Sequence, residues 1–117
     1  MIADVRTYTL FPRKLPQYLD LFEKHALPVV RAHGMQLDRY FVAKIGPLNQ
    51  VVHSWTYERL ADLEAQRTAR DADPKWAEYL SLTDSLVLAQ ENKIMEDARF
   101  SLPDDVIRAR GDVGRPG

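Results

Sequence analysis

A chain of 117 residues with 16 basic and 17 acidic side chains has a formal charge of -1, so no field of one sign is present to hold nucleic acid or an anionic membrane surface. The length suits one domain with one core, and the absence of cysteine excludes disulfides, thiolate nucleophiles and cysteine metal sites. The first residues enter a strand-like pattern with no basic region and apolar core, so we predict no signal peptide, no membrane span and a cytoplasmic location.

The first two elements are predicted from a change in hydrophobic period. Residues 2–10 are rich in strand-forming side chains and alternate, which predicts a strand. Residues 16–32 instead repeat apolar side chains at helical spacing. Pro16 suits the first helical turn, Pro28 predicts a late kink, and Gly34 predicts a left-handed end to the helix.

A hairpin is predicted next. Residues 36–45 and 50–58 both alternate and carry aromatic and β-branched side chains. They are separated by the Gly-Pro-Leu-Asn turn at 46–49, which is the length and composition of a hairpin connection.

The second half of the chain predicts helix and then strand. Residues 59–71 are alanine-rich and charged, with a narrow apolar stripe typical of a surface helix. Asp73 and Pro74 predict an N-cap and first turn of a further helical piece that reaches about residue 83. A last strand is predicted over residues 89–97.

The order strand, helix, strand, strand, helix, strand predicts an α+β protein with the ferredoxin-like βαββαβ fold. Right-handed crossovers place the first strand between the third and the fourth in an antiparallel sheet, with the helices on one face. The other face stays uncovered, which predicts a homodimer that packs sheet against sheet. The domain is expected to span residues 1–100, and residues 101–117 form a tail that is partly ordered or wraps the partner subunit.

Side chains able to carry chemistry lie on two strands that this topology makes neighbours. Arg6 and Tyr8 share one face of the first strand, and His53 and Trp55 share one face of the third. We therefore expect these four to converge on one patch. The alternation alone does not say whether the patch faces the helices or the dimer. The predicted patch also includes Tyr40, Gln90 and Asn92.

The functional interpretation of the patch is a small-molecule pocket. Arg6 would hold an anionic oxygen such as a carboxylate or enolate. A histidine side chain has an ordinary pKa of ~6.5, so His53 would move a proton. Arg6 and His53 are therefore the candidate catalytic residues. The remaining members would bind the substrate, with the aromatic rings stacking a planar or apolar body. These substrate-binding candidates are Tyr8, Trp55, Tyr40, Asn92 and Gln90.

The structural interpretation of the same patch is that its members stabilise the protein. In it Arg6 forms an ion pair with a nearby carboxylate, and His53 is a hydrogen-bonded core histidine. Trp55 and Tyr57 then pack the dimer interface. The carboxylates available to Arg6 are Asp4, Glu58 and Glu91.

Other charged side chains predict no further site. His25 and His33 lack a second ligand at helical spacing, so we predict no metal site. We also predict no haem, because a histidine such as His25 or His53 is not by itself a haem signal. His33 is expected at a helix end, where a cation interacts with the dipole. Arg67 and Arg70 are interleaved with acidic residues and are expected to form a solvated helix edge. No cofactor is predicted.

Several segments of the chain carry a family resemblance: "DVRTYTLFPRKLPQYLDLFEK", "IGPLNQVVHSWTYERLADLEAQR" and "DPKWAEYL" followed by "QENKIM". Together they resemble the NIPSNAP family, a branch of the dimeric α/β-barrel superfamily, over residues 2–100. The resemblance implies a ferredoxin-like protomer that dimerises into a barrel. Relatives elsewhere in the superfamily include cofactor-free monooxygenases, cyclases, isomerases and haem enzymes.

Two functions remain open from sequence. The first is a small-molecule-binding dimer that works as a cofactor-independent enzyme, of the isomerase, cyclase or monooxygenase type, on an aromatic or enolisable metabolite. The second is a non-catalytic binding or scaffold protein of the NIPSNAP type, in which the aromatic, histidine and arginine patch stabilises the dimer. The fold alone does not decide between them.

Overall fold

The computed structural model describes residues 1–101, and the tail predicted from residue 101 onward otherwise lies outside them. The strands are β1 (Ile2–Leu10), β2 (Gln36–Val42), β3 (Gln50–Tyr57) and β4 (Val87–Glu96). The helices are α1 (Leu15–Leu21), α2 (Leu27–Ala32), α3 (Leu60–Asp71) and α4 (Pro74–Thr83). A π-helical turn (Phe22–Ala26) joins α1 to α2, and short 3-10 turns occupy Asp84–Leu86 and Arg99–Ser101.

The four strands form one antiparallel sheet in the order β2-β3-β1-β4. The order confirms the predicted ferredoxin-like topology, in which β1 lies between β3 and β4. The core forms where the helices cover one face of this sheet, because Phe22, Val30, Leu63 and Tyr79 from the helical segments pack with Trp55 of β3. The protomer is therefore a two-layer α+β domain.

The first predicted helix is present but interrupted. Pro28 has no backbone N–H, so the carbonyl four residues before it loses its helical partner. A wider turn forms at this point, in which the Leu27 N–H donates to the carbonyl of Phe22, five residues back. The expected kink is thus a π-helical turn that begins before the proline.

Two helix boundaries lie where local chemistry predicts them. Gly34 has a φ of 73° and follows α2, and the N–H groups of Gly34 and Met35 donate to the carbonyls of Arg31 and Val30 at 3.1 and 3.0 Å. This is the Schellman arrangement. The Asp73 carboxylate accepts from the Lys75 N–H at 2.9 Å and caps α4.

None of the helices described is long and apolar enough to cross a bilayer. The longest of those in residues 1–101 is α3, with 12 residues, and it is largely exposed and charged on its outer side. A bilayer-spanning helix needs about 20 predominantly apolar residues.

Candidate functional site

Strand register places the predicted patch in one row across the sheet. Arg6 on β1 lies opposite His53 on β3 and opposite Asn92 on β4, and His53 lies opposite Tyr40 on β2. Alternation turns Arg6 and His53 toward the helices, where both are buried. The patch therefore faces the helical layer and not the uncovered side of the sheet.

A cavity of about 220 Å³ lies between this row and the helices. Five of the seven predicted side chains line it, and helical residues form the opposite wall. Leu80, Asp84 and Gln90 are exposed and mark the open end of the cavity. The five predicted residues in the lining are Arg6, Tyr8, His53, Trp55 and Gln90.

Two predicted members do not line the cavity. The ring of Tyr40 stacks on the far side of the His53 ring, with centroids 4.7 Å apart and planes at 7°. Asn92 is exposed on β4, where its side-chain oxygen accepts from the Gln90 amide at 3.4 Å. Tyr40 supports His53 from behind, and Asn92 contacts Gln90 at the open edge.

Arg6 is held by its own strand. Its Nε donates to the Asp4 carboxylate at 2.9 Å, and its Nη1 donates to the Tyr8 hydroxyl at 3.0 Å. Burial opposes the guanidinium charge, but the neighbouring Tyr8 and Asp4 oxygens outweigh it and raise the pKa of Arg6. The Nη2 group is buried and has no hydrogen-bond partner among the described residues. Arg6 is therefore a fixed cation with one donor group unused.

His53 is a neutral imidazole with a defined tautomer. The Trp55 indole N–H donates to His53 Nδ1 at 2.6 Å. An indole can only donate, so Nδ1 accepts and the ring proton lies on Nε2. Burial, reinforced by the charge of Arg6, lowers the pKa of His53 from 6.5 to about 3. Nε2 is buried and has no hydrogen-bond partner in residues 1–101, so its N–H is a second unused donor there.

Aromatic side chains enclose the two donors. The Phe22 ring lies 5.9 Å from the His53 ring and 6.3 Å from the Trp55 ring, centroid to centroid. On the helical wall the Tyr79 hydroxyl donates to the Tyr18 hydroxyl at 3.2 Å. Burial raises the pKa of Tyr79 to about 12 and raises the pKa of Tyr18 further, so both are neutral phenols. The aromatic part of the lining is thus uncharged, which suits a planar apolar body.

Arg70 and Trp76 also line the cavity, and the sequence did not identify either as a site residue. The expectation that Arg70 forms a solvated edge is wrong, because only 6% of it is exposed. Its guanidinium lies 4.3 Å from the Trp76 ring centroid. The sequence did contain a signal for this contact. Arg70 in the last turn of α3 and Trp76 in the first turn of α4 are only six residues apart, so their side chains can meet.

The structural interpretation holds in part. Arg6 pairs with Asp4, as one of its alternatives predicts, and His53 is a hydrogen-bonded core residue. The placement of Trp55 and Tyr57 at a dimer interface is wrong, because both are 4% exposed and pack against the helices of their own protomer.

In residues 1–101 no group of three or more histidine or acidic side chains is placed to hold a metal ion. His33 caps the end of α2, as predicted, and its Nε2 lies 2.9 Å from the Asp73 carboxylate that caps α4. This contact ties the two helix ends together.

Comparison with known proteins gives a consistent result. A family model for NIPSNAP matches residues 3–102. The human protein NipSnap homolog 3A is 32% identical over 92 residues, which are 78% of this chain and 37% of the human protein, so the chain spans little more than a third of that relative's length. A NIPSNAP family protein of unknown function from Agrobacterium tumefaciens is 38% identical, with a TM-score of 0.82 over 86% of this chain and 91% of that one.

A more distant structure shows the fold alone. A protein from Nitrosomonas europaea, classed with the antibiotic biosynthesis monooxygenases, superposes with a TM-score of 0.64 at 10% identity. The match covers 83% of this chain and 98% of that one. At this identity the comparison supports the ferredoxin-like α+β fold and says nothing about a shared reaction.

Proposed function

The chain belongs to the NIPSNAP family, and we propose that it binds a small, planar, mostly apolar molecule with an anionic oxygen in the cavity between the sheet and the helices. One observation carries this proposal. Arg6 Nη2 and His53 Nε2 are both buried donors without a partner among the described residues, and both residues line the same cavity. Buried donors are costly unless something accepts from them.

The volume of the cavity supports a ligand about the size of one substituted ring. A dry engineered cavity of about 150 Å³ binds benzene, and this one measures about 220 Å³. The aromatic walls favour a flat apolar body, and the two donors favour a carboxylate or enolate oxygen at one end.

For chemistry, the arrangement favours His53 as a hydrogen-bond donor. A group with a pKa of about 3 is a weak base, and its acceptor nitrogen is already used by Trp55. Arg6 and the His53 Nε2–H can instead stabilise negative charge that develops on a substrate oxygen, as oxyanion-binding groups do. We propose that any catalysis here is cofactor-independent and proceeds through an enolate-like state held by these two donors.

A calorimetric titration tests the binding function. We expect the wild type to bind benzoate more tightly than benzyl alcohol by about tenfold or more, because only the carboxylate offers charged oxygens that accept from Arg6 and His53 together. Arg6→Lys keeps the charge beside Asp4 but lacks the Nη2 donor of the guanidinium. His53→Asn keeps an acceptor for the Trp55 indole but lacks the Nε2–H donor. Each should weaken benzoate binding about tenfold or more.

Lys93→Gln is the matched control for the loss of a basic side chain, because Lys93 is exposed on β4 and does not line the cavity. It should bind benzoate like the wild type. Equal affinity for benzoate and benzyl alcohol, or equal loss in Lys93→Gln and Arg6→Lys, would contradict the proposed site.

A second candidate function is the non-catalytic scaffold, and one observation favours it. Arg6 already donates to both Asp4 and Tyr8, so these three side chains of β1 form a connected buried network without any ligand. Under this function the wild type binds none of a panel of aromatic acids, while Arg6→Lys and His53→Asn lower the melting temperature. Ligand binding to the native state would instead raise that temperature.

We also propose that the protein is a homodimer that packs the uncovered sheet faces together. On that face Phe41 and Met95 are each 49% exposed in the single chain, and Val5, Thr7 and Val52 lie between them, half-buried. Exposed apolar side chains grouped on one face are typical of a protein–protein contact. Light scattering at micromolar concentration should give about twice the 13.5 kDa mass of one chain.

Val52→Lys places a charge in the middle of that face and should shift the protein toward the monomer. Glu64→Lys, on an exposed position of α3, is its control and should leave the mass unchanged. A wild type that scatters as a clean monomer would contradict the dimer.

A further inference from the structure

We propose that the ligand carries two acidic groups, one at each end of its planar body, and that Arg70 binds the second. This inference rests on the proposed binding function and deepens it, because it names the class of ligand as an aromatic dicarboxylate. Two buried arginines line one cavity from opposite walls, Arg6 from the sheet and Arg70 from α3.

The burial of Arg70 is the first step. It lies in the last turn of α3, where a solvated arginine would extend into water, yet only 6% of it is exposed. The guanidinium instead lies over the Trp76 ring, 4.3 Å from its centroid. A cation held flat on an aromatic wall is positioned by that stacking and is less free to follow solvent.

The pairing of Arg70 is incomplete, which is the second step. Its Nε and Nη2 both donate to one oxygen of Asp71, at 3.0 and 2.9 Å. The Asp71 side chain is 57% exposed, so water screens much of its charge. Nη1 donates to none of the side chains described. A cation whose partner is screened by water and whose remaining donor has no side-chain acceptor can bind a further anion.

The two cations line the same cavity together with aromatic and aliphatic side chains. Trp55 and Trp76 line the cavity with them. Asp84 is an acidic residue in the lining, and it lies exposed at the open end, where solvent screens it. A ligand with acceptors at both ends of a ring matches this charge pattern better than a monoacid does.

The test compares ligands that differ only in the second acidic group. Calorimetry on the full chain measures benzoate, isophthalate, terephthalate and the monoamides of the two diacids. We expect one dicarboxylate to bind the wild type about tenfold or more tightly than its monoamide, since the added charge-assisted hydrogen bond is lost in the amide. In Arg70→Gln this preference should disappear, because the second acidic group then has no cation to bind.

Arg67→Gln is the matched control, because it removes the same charge from the same helix at a residue outside the cavity lining. It should keep the preference for the diacid. The melting temperature of each unliganded variant, together with its circular dichroism spectrum, checks that Arg70→Gln retains the fold. The comparison of diacid with monoamide in the wild type needs no variant.

The outcomes separate this inference from the function on which it rests. If benzoate binds in an Arg6-dependent way but no diacid exceeds its monoamide, the second acidic group is overturned and the binding site stands. If Arg67→Gln and Arg70→Gln reduce the preference equally, Arg70 acts only through long-range charge and the inference fails. If no acid binds at all, the proposed binding function fails first.

Discussion

Replacing Arg6 with methionine should lower the free energy of unfolding by about 3–5 kcal/mol, because it leaves a buried carboxylate without its partner. Asp4 is 1% exposed, and the Arg6 Nε at 2.9 Å is its ion-pair partner. The Tyr8 hydroxyl loses its donor in the same variant. Urea denaturation followed by circular dichroism measures the effect.

Two further variants show whether burial is the cause. Lys24→Met breaks an ion pair of similar length, 3.1 Å to Asp20, whose side chains are 64% and 54% exposed, and should cost less than about 0.5 kcal/mol. The double variant Asp4→Leu/Arg6→Met removes both buried charges and should recover most of the loss. A double variant as unstable as Arg6→Met, or an Arg6→Met as mild as Lys24→Met, would contradict this account.

Acidification should destabilise the protein through His53. The pKa of this residue is about 3 in the folded chain and 6.5 ordinarily, so between these values the unfolded chain binds a proton that the folded chain does not. The contribution of His53 to the free energy of unfolding is therefore fully present above about pH 6.5. As the pH drops, this contribution falls by about 1.4 kcal/mol per pH unit. This loss of stability ends only near pH 3, the pKa of His53 in the folded chain.

His53→Asn isolates this contribution. Asparagine keeps an acceptor for the Trp55 indole and does not titrate. Because other carboxylates also titrate in this range, the measured quantity is the difference between wild type and variant in free energy of unfolding at pH 7 and pH 4.5. We expect the wild type to lose about 2–3 kcal/mol more than the variant over this interval. Parallel curves would mean that His53 is not buried as a neutral group.

Local signals explain why the fold could be predicted from the sequence. Alternation in β1 and β3 reflects one buried face, Gly34 supplies the left-handed φ that ends α2, and Asp73 caps α4 just before a proline. Each of these has a cause within a few residues. The sequence also predicted that Arg6 and His53 lie in one patch, because the predicted topology makes β1 and β3 neighbours.

The rest of the site depends on contacts distant in sequence. Alternation gives two faces to a strand and does not say which one the helices cover, so the direction of the patch was open, and the dimer-interface position of Trp55 was wrong. Arg70 was expected in solvent because its neighbours in α3 are charged. Its burial comes from Trp76 on α4, which covers it only once the two helices have packed.

The most direct test of the central claim uses the two tryptophans of the chain, both of which line the cavity. In a nitrogen-15 correlation spectrum each indole N–H gives one peak, and Trp76→Phe assigns them. We predict that benzoate shifts the Trp55 and Trp76 peaks together, with one saturation curve, and that Arg6→Lys weakens both responses. Peaks that stay fixed while backbone amides of the uncovered sheet face move would place binding outside the cavity and contradict the claim.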